Sequence, residues 1–347
     1  CRLTKNFFVR SIGEHFEYAG DDAAFAHQYE QLVRSRRGGG AAASPPGVEA
    51  VLAELRDQRE ERRKAPEEAK RRAEIIAASY KRLHPEVYSL DRERFLDPTF
   101  LELTSELRRC PDKPRAIENC IRELAERGSL RQLRRDLWTF PVFTTTFCDL
   151  LEAELAHFEG SGLPKGRPNT MNRFGFVLRE LGFCEELLDP LVADFVDPIS
   201  SRLLPAFTEE LDSYRAFTVK YEAQEGGDKD LSLHYDNAEV TLNVNIGGDW
   251  TGGQVTFMGL ARGIGSADDA PLSVALARGH GVLHAGRELH QAEPVESGSR
   301  QNLILWCRSS GVRNGECPMC WSPPTVVPTT AFAHDGFTVP PCCLARN

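Results

Sequence analysis

The stretch LHYDNAEVTLNVNI, residues 233–246, decides the fold because a strict alternation of apolar and polar residues begins inside it. The apolar positions are Val240, Leu242, Val244 and Ile246, and the polar positions are Glu239, Thr241, Asn243 and Asn245. A period of two predicts a β-strand with one apolar and one polar face. The polar face is either exposed to solvent or turned into a barrel that encloses a polar site. We expect the barrel, with the apolar face packed on helices.

Further runs with the same period surround this strand. They lie at 216–221, 231–236, 254–257, 281–284 and 302–308, and several are separated by turns that contain Gly and Asp. Many short strands with such turns predict an antiparallel sandwich or barrel, such as a jelly roll. Upstream, residues 114–139 and 145–159 have apolar residues at helical spacing and are predicted to be helices. The expected fold class is therefore α+β.

Three regions follow from these patterns. Residues 1–139 form a mainly helical N-terminal region, which includes a charged helix from Val48 to Leu83 and a flexible linker near 34–47, where the sequence is RSRRGGGAAASPPG. Residues 140–310 form the main domain, with its core at 213–309. Residues 311–347 form a tail rich in Cys and Pro.

The composition narrows the class of protein. Apolar residues make up 41% of the 347 residues, enough for a large core. The net charge of −9 argues against general nucleic-acid binding, and no apolar run reaches the length of a membrane span. Ten cysteines in so long a chain do not form the dense disulfide framework of small secreted domains, so we expect a cytoplasmic or nuclear location. The start at Cys1 rather than Met indicates a fragment.

His234 and Asp236 form the first part of a candidate metal site. Residues i and i+2 of a strand point to the same face, so the two side chains should project together. One imidazole and one carboxylate are two of the three ligands that hold non-haem Fe(II) in a facial triad. The motif alone is weak, because His-x-Asp occurs often by chance at surface strand ends. The third ligand could come from His280, His284 or His290.

Arg300 selects among these histidines. An enzyme that combines such a triad with 2-oxoglutarate must also hold the far carboxylate of that cosubstrate, and the planar fork of Arg does this well. Arg300 follows His290 by ten residues, a gap that lets a hairpin bring both into one pocket. We therefore expect His290 to be the third ligand. His284, in an apolar strand, is expected to be buried near the site without binding metal, and His280 to be structural.

The chain resembles the prolyl and lysyl hydroxylase branch of the 2-oxoglutarate/Fe(II) dioxygenases. The resemblance rests on VKYEAQ (219–224), LHYDNAEVTLNVNI (233–246), TGGQVTF (251–257), GVLHAGRELH (281–290) and GSRQNLILW (298–306). Likeness to a narrower group in this family includes IIAASYKRLHPEVY (75–88), PKGRPNTMNRFG (164–175) and VRNGECPMC (312–320). The resemblance implies a double-stranded β-helix at 140–310, a need for Fe(II), 2-oxoglutarate and O₂, and L-ascorbate (vitamin C) as a further cofactor.

The resemblance also assigns roles to individual residues. It implies that His234, Asp236 and His290 are the iron ligands and that Arg300 anchors 2-oxoglutarate. Tyr221 and Asn243 match positions that help to hold the cosubstrate in lysyl hydroxylases. The implied reaction hydroxylates a prolyl or lysyl side chain of a protein, with release of succinate and CO₂.

Two further interpretations stay open. The barrel could be an inactive binding or scaffold module, or an oxygenase that acts on a small molecule. Separately, Cys317-Pro-Met-Cys320 has the spacing of a zinc knuckle, and Cys342-Cys343 could supply more ligands, although reduced thiols in an irregular tail are the simpler interpretation.

Overall fold

Two antiparallel sheets face each other in this computed structural model, which describes residues 6–9, 11–12, 14–36, 47–261, 270–313, 315–318, 321, 327–328 and 338–339. The larger sheet has the strand order β3-β4-β11-β7-β13-β5 and the smaller one β10-β9-β12-β6. The strands of the larger sheet are β3 (Arg131–Arg134), β4 (Leu137–Pro141), β5 (Ser213–Glu222), β7 (Val240–Gly247), β11 (His280–Ala285) and β13 (Val295–Arg308). Those of the smaller sheet are β6 (Leu231–His234), β9 (Val255–Leu260), β10 (Leu272–Val274) and β12 (Glu288–Ala292), and a short strand, β8 (Trp250–Gly252), pairs with β13.

The inner faces of the two sheets meet in two apolar clusters. One joins Leu137 and Val282 of the larger sheet to Phe257 of the smaller sheet. The other joins Phe217 to Ala292 in the same way. Antiparallel strands that cross between two facing sheets in this order form a jelly roll, that is, a double-stranded β-helix. The predicted fold is confirmed.

Strand β7 has the two faces that its sequence predicts. Its four apolar residues lie in the main hydrophobic core together with Phe147, Leu151 and Leu155 of a helix outside the barrel. Its polar residues Thr241 and Asn245 are almost fully buried on the other face. The barrel interior is therefore polar, and the helices cover the outside of the larger sheet.

The covering helices begin with capping residues. Thr144 accepts a hydrogen bond from the Phe147 backbone N–H, and Asp97, followed by Pro98, accepts one from the Thr99 N–H. The helices are α3 (Arg92–Phe95), α4 (Pro98–Arg109), α5 (Pro114–Glu126) and α6 (Thr145–Gly160), followed by a helical stretch of alternating π and α turns at Cys184–Leu188, α7 (Asp189–Leu191), Val192–Val196 and α8 (Asp197–Leu203). A 3₁₀ turn at Pro85–Tyr88 precedes them.

The predicted helix over residues 114–139 is wrong beyond Glu126. Gly128 has a φ of +75°, and the backbone N–H groups of Gly128 and Ser129 bond back to the carbonyls of Ala125 and Leu124. This pair of bonds is a Schellman motif, which ends a helix. The residues that follow form the hairpin β3–β4, and β4 pairs with β11. The expected domain boundary between residues 139 and 140 therefore falls inside a strand of the barrel sheet.

The N-terminal region contains a second, smaller core. The hairpin of β1 (Asn6–Val9) and β2 (Glu14–Glu17) packs with α1 (Asp22–Arg36) and the start of α2 (Val48–Ser79). The predicted charged helix is thus present as α2, which continues through Pro66. Of the predicted linker near 34–47, residues 34–36 end α1 and residues 37–46 lie outside the described residues. No helix in the described part of the chain has the length and apolar character needed to cross a bilayer.

Little of the predicted C-terminal tail is described. It begins in α9 (Ser310–Arg313) and includes a short parallel pair, β14 (Val327–Pro328) with β15 (Thr338–Val339). Cys317 is buried, whereas Cys320, Cys342 and Cys343 lie outside the described residues. The zinc interpretation therefore stays a prediction.

Candidate active site

Three side chains meet at one end of the smaller sheet. His234 is the last residue of β6, and His290 lies directly opposite it on β12. Ligand atoms of His234, Asp236 and His290 all lie within 4.8 Å of one another. The predicted strand over 231–236 ends two residues early, and Asp236 is held in the following turn by a bond from its N–H to the Gly286 carbonyl at 2.8 Å. The structure thus brings the three predicted ligands together.

Backbone carbonyls orient both imidazoles. The Nδ1 atom of His234 lies 2.8 Å from the Ser232 carbonyl oxygen, and that of His290 lies 2.8 Å from the Glu288 carbonyl oxygen. A neutral imidazole that donates from Nδ1 leaves the lone pair on Nε2 available to a metal. The two Nε2 atoms face the carboxylate of Asp236, at 3.7 Å from Oδ1 for His234 and 3.9 Å from Oδ2 for His290.

The charge state also suits a divalent metal. Burial and the neighbouring His290 lower the pKa of the His234 imidazole to about 4, so it is neutral at pH 7. Burial alone would raise the pKa of the Asp236 carboxyl, but attraction to His290 and His234 brings it below its ordinary value. Imidazole nitrogen and carboxylate oxygen in this ratio are the donors of a non-haem Fe(II) triad, so these residues fit ferrous iron.

Thr241 orients the carboxylate ligand. Its hydroxyl, on the inner face of β7, donates a hydrogen bond of 2.7 Å to Asp236 Oδ2. We expect Thr241→Val, which keeps the shape and loses the hydroxyl, to weaken Fe(II) binding by about 10–100-fold. Anaerobic titration calorimetry measures this. Thr241→Ser keeps the hydroxyl and should bind like the wild type, and equal loss in both variants would contradict the role given to the hydrogen bond.

The other two candidate histidines lie outside this group of ligand atoms. His284 is fully buried on β11, with its ring 4.9 Å from that of His290. Burial and the neighbouring His290 lower the pKa of the His284 imidazole to about 4, so it adds no positive charge. His280 is partly exposed at the start of β11. His284 therefore lies beside the candidate metal ligands, as the sequence predicts.

Arg300 lies inside the barrel as a buried cation. It is 5% exposed, and burial lowers the pKa of its guanidinium below the ordinary value. Its Nη1 donates to the Gly253 carbonyl, and its Nε has no hydrogen-bond partner among the described residues. Nor does Arg300 form an ion pair with any acidic residue of the described ranges. A buried, unpaired guanidinium provides a ready site for a carboxylate.

Tyr221 and Asn243, the other two residues predicted to hold the cosubstrate, differ in how they relate to Arg300. Tyr221 lies opposite Arg300 in the pairing of β5 with β13, and the guanidinium carbon is 4.7 Å from the centre of its ring. Asn243 accepts a hydrogen bond of 2.6 Å from Asn302. The cavity beside Arg300 is lined by Asn245, Trp250, Gly253, Val255, Val274, Ala275, Leu276, Arg300 and Asn302. Tyr221 thus touches Arg300 directly, whereas Asn243 reaches this cavity through Asn302.

Asn172 is a residue of the site that the sequence only hinted at. It is buried, and its amide donates a hydrogen bond of 3.1 Å to the Tyr221 hydroxyl. The loop that carries it is held by Asn169, whose side chain accepts from the N–H groups of Met171 and Asn172. The segment 164–175 carries part of the family resemblance, but only the structure identifies Asn172 as a partner of Tyr221.

The hydrogen bond between Asn172 and Tyr221 should be detectable in cosubstrate binding. We expect Asn172→Ala and Tyr221→Phe each to raise the KM for 2-oxoglutarate by several fold, since one hydrogen bond contributes about 1 kcal/mol. The double variant should lose no more than the larger single loss, because both remove the same bond. Steady-state kinetics measure all three, and additive losses would show that the two residues act separately.

Comparison with known proteins identifies the family. A family model described as the OGFOD2-like domain matches residues 76–209, which run from the end of α2 past α8. A human protein named 2-oxoglutarate and iron-dependent oxygenase domain-containing protein 2 is 40% identical over 339 residues, covering 97% of this chain and 92% of the human protein. The chain belongs to this family of 2-oxoglutarate and iron-dependent oxygenases.

Two more distant relatives show how far the likeness extends. The Arabidopsis thaliana 2-oxoglutarate and iron-dependent oxygenase domain-containing protein ICU11 is 38% identical over 247 residues, which cover 69% of this chain and 58% of that protein. The human multifunctional procollagen lysine hydroxylase and glycosyltransferase LH3 is 28% identical over 200 residues, which cover 54% of this chain and 25% of LH3.

Family membership confirms the predicted enzyme class. The chain is an iron- and 2-oxoglutarate-dependent dioxygenase, with 2-oxoglutarate and O₂ as cosubstrates. The alternative of an inactive scaffold loses its support, because the oxygenase retains a complete donor set for iron together with a buried arginine.

Proposed function

We propose that His234, Asp236 and His290 hold Fe(II), and that Arg300 binds the far carboxylate of 2-oxoglutarate. The observation that carries this proposal is the meeting of three metal-ligand atoms within 4.8 Å, two of them imidazole nitrogens and one a carboxylate oxygen. The buried Arg300, which lacks an ion pair within the described ranges, supports the second half.

The protein residues bind and orient the reactants. Bound Fe(II) and 2-oxoglutarate supply the oxidising power to hydroxylate a substrate C–H bond with O₂, and succinate and CO₂ are released. Arg300 neutralises the far carboxylate, while the ring of Tyr221 holds the guanidinium plane in place. The side chains of Trp250, Val255 and Leu276 line the cavity and limit the entry of water.

We further propose that the substrate is a prolyl or lysyl side chain of a protein. The support is the similarity to a procollagen lysine hydroxylase over 54% of this chain. The exposure of the metal site is compatible with a large substrate. The His234 side chain is 14% exposed, and β6, which carries it, is the edge strand of the smaller sheet. A side chain presented by another polypeptide could therefore approach from the protein surface.

Two assays test the proposal. Purified oxygenase with Fe(II) and L-ascorbate, the reductant predicted from the family resemblance, should convert 2-oxoglutarate to succinate. Mass spectrometry of a peptide library incubated with it should then find peptides heavier by one oxygen atom at proline or lysine. Succinate formation without any oxidised peptide would favour a small-molecule substrate. Failure to bind Fe(II) would overturn the ligand assignment. The cytoplasmic or nuclear location remains a prediction from cysteine usage.

A further inference from the structure

The turn that carries Asp236 lies outside the strands yet is fully buried. Residues 235–239 connect β6 to β7, and residues 236–239 are all buried. Three backbone bonds fix the turn to the barrel at its two ends. The Asp236 N–H donates to the Gly286 carbonyl at 2.8 Å, the Gly286 N–H donates to the Glu239 carbonyl at 2.9 Å, and the Glu239 N–H donates to the Cys307 carbonyl at 3.0 Å. Asn237, between these ends, is left to other partners.

The chain after β13 supplies those partners. Arg313 donates from Nε to both carboxylate oxygens of Glu239, at 3.0 and 3.1 Å, and from Nη1 to the side-chain oxygen of Asn237 at 2.8 Å. The Ser309 N–H also donates to the Glu239 carboxylate, at 3.0 Å. Arg308, at the end of β13, donates to the Asn237 backbone carbonyl at 3.0 Å. Residues 309–313 are called the C-terminal segment below.

The ion pair of Arg313 with Glu239 is buried, which affects what it contributes to stability and to geometry. Arg313 and Glu239 are each 5% exposed. A buried ion pair gives little net stability compared with apolar residues of the same shape, because both charges lose their hydration. A planar guanidinium bonded to three side-chain oxygens nevertheless fixes the position of the group that it binds. The arrangement is thus suited to holding the turn in a single conformation.

Two residues farther along the tail, Glu316 and Trp321, contact residues close in sequence to the proposed metal ligands. Glu316 forms an ion pair with Arg287, whose guanidinium carbon lies 4.6 Å from the centre of the Trp321 ring. The Trp321 ring is 6.0 Å from that of Tyr235, the residue between His234 and Asp236. The tail therefore contacts both sides of the turn that contains Asp236.

We propose that the C-terminal segment positions Asp236 for metal binding, with Arg313 as the positioning residue. The inference rests on the proposed function, because it takes Asp236 to be an iron ligand. Arg313 holds Asn237 and Glu239, which follow Asp236 in the same buried turn, and Asp236 is the only carboxylate among the three proposed ligands. The jelly roll therefore depends on a part of the chain outside its strands for the geometry of its metal site.

Co(II) binding by the full chain tests this, because Co(II) gives a visible spectrum that responds to ligand geometry. We expect Arg313→Met to weaken Co(II) binding by about 10–100-fold, the usual cost of losing a group that orients a ligand, and to change the spectrum. Arg72→Met is the matched control. It breaks a bidentate pair with the buried Glu180, at 2.7 and 2.8 Å, between α2 and the loop that precedes the helical stretch at Cys184. It should lower thermal stability without changing Co(II) affinity.

A second variant guards against misfolding of Arg313→Met. Asn237→Ala removes the acceptor of the Nη1 bond and leaves the ion pair intact, and it too should weaken Co(II) binding. Wild-type affinity in both folded variants, or in Asn237→Ala alone if Arg313→Met does not fold, would overturn the positioning role. Absence of Co(II) binding by the wild type is a different failure, because it would overturn the proposed iron site together with this inference.

Discussion

Replacing His290 with alanine is expected to abolish turnover of 2-oxoglutarate. The change removes one of three proposed ligands, which should cost more than the roughly 10–100-fold that follows loss of an orienting partner alone. His284, whose ring lies 4.9 Å from that of His290, is outside the group of ligand atoms, so we do not expect it to replace His290. Succinate formation and anaerobic Fe(II) titration measure the two expected losses.

The control for this variant is His280→Ala. His280 lies on the same barrel, at the start of β11, but outside the candidate metal site. It should bind Fe(II) and form succinate at the wild-type rate. If His290→Ala also kept wild-type Fe(II) affinity, the assignment of the third ligand would be wrong, whatever happened to turnover.

Replacing Arg300 with leucine should separate cosubstrate binding from stability. The variant lacks the guanidinium that we propose forms a charge-assisted, two-bond contact with the far carboxylate of 2-oxoglutarate. At about 1.5–3 kcal/mol for each such bond, the KM for 2-oxoglutarate should rise by roughly 100-fold or more. The protein without 2-oxoglutarate should be no less stable than the wild type, because Arg300 carries a buried charge with no ion pair in the described ranges.

Steady-state kinetics measure the KM, and thermal unfolding with and without 2-oxoglutarate measures stability and cosubstrate binding. The wild type should gain Tm when 2-oxoglutarate is added, and Arg300→Leu should not. Arg300→Lys keeps the charge and loses the planar fork, so its KM for 2-oxoglutarate should lie between those of the wild type and Arg300→Leu. A variant Arg300→Leu that is markedly less stable, yet still gains Tm with 2-oxoglutarate, would show that Arg300 has a structural role instead.

The sequence predicts the parts of this molecule that depend on local pattern. The alternation from Glu239 to Ile246 correctly predicts a strand with a polar inner face, and the series of similar runs predicts the jelly roll. The hairpin expected between His290 and Arg300 is wrong. The strands that carry them, β12 and β13, follow one another closely along the chain but lie in different sheets and do not pair.

Contacts between distant segments could not be predicted in this way. The bond from Asn172 to Tyr221 joins residues 49 positions apart, and the ion pair of Arg313 with Glu239 joins residues 74 apart. No local period marks either pair. The sequence did not predict the hairpin β3–β4 for a different reason. Apolar residues near Leu137 and Phe140 fit a helical spacing, and only the Schellman motif at Gly128 shows that the helix has already ended.

The pairing of β5 with β13 has a consequence for how the protein is made. Ser213 pairs with Arg308 and Glu222 with Ser299, so β5 bonds along its whole length to β13, the last strand of the barrel. A ribosome releases β5 long before β13, and closing so long a loop is slow. Until then β5 lacks the partner that satisfies its backbone hydrogen bonds, and its unpaired edge is open to aggregation.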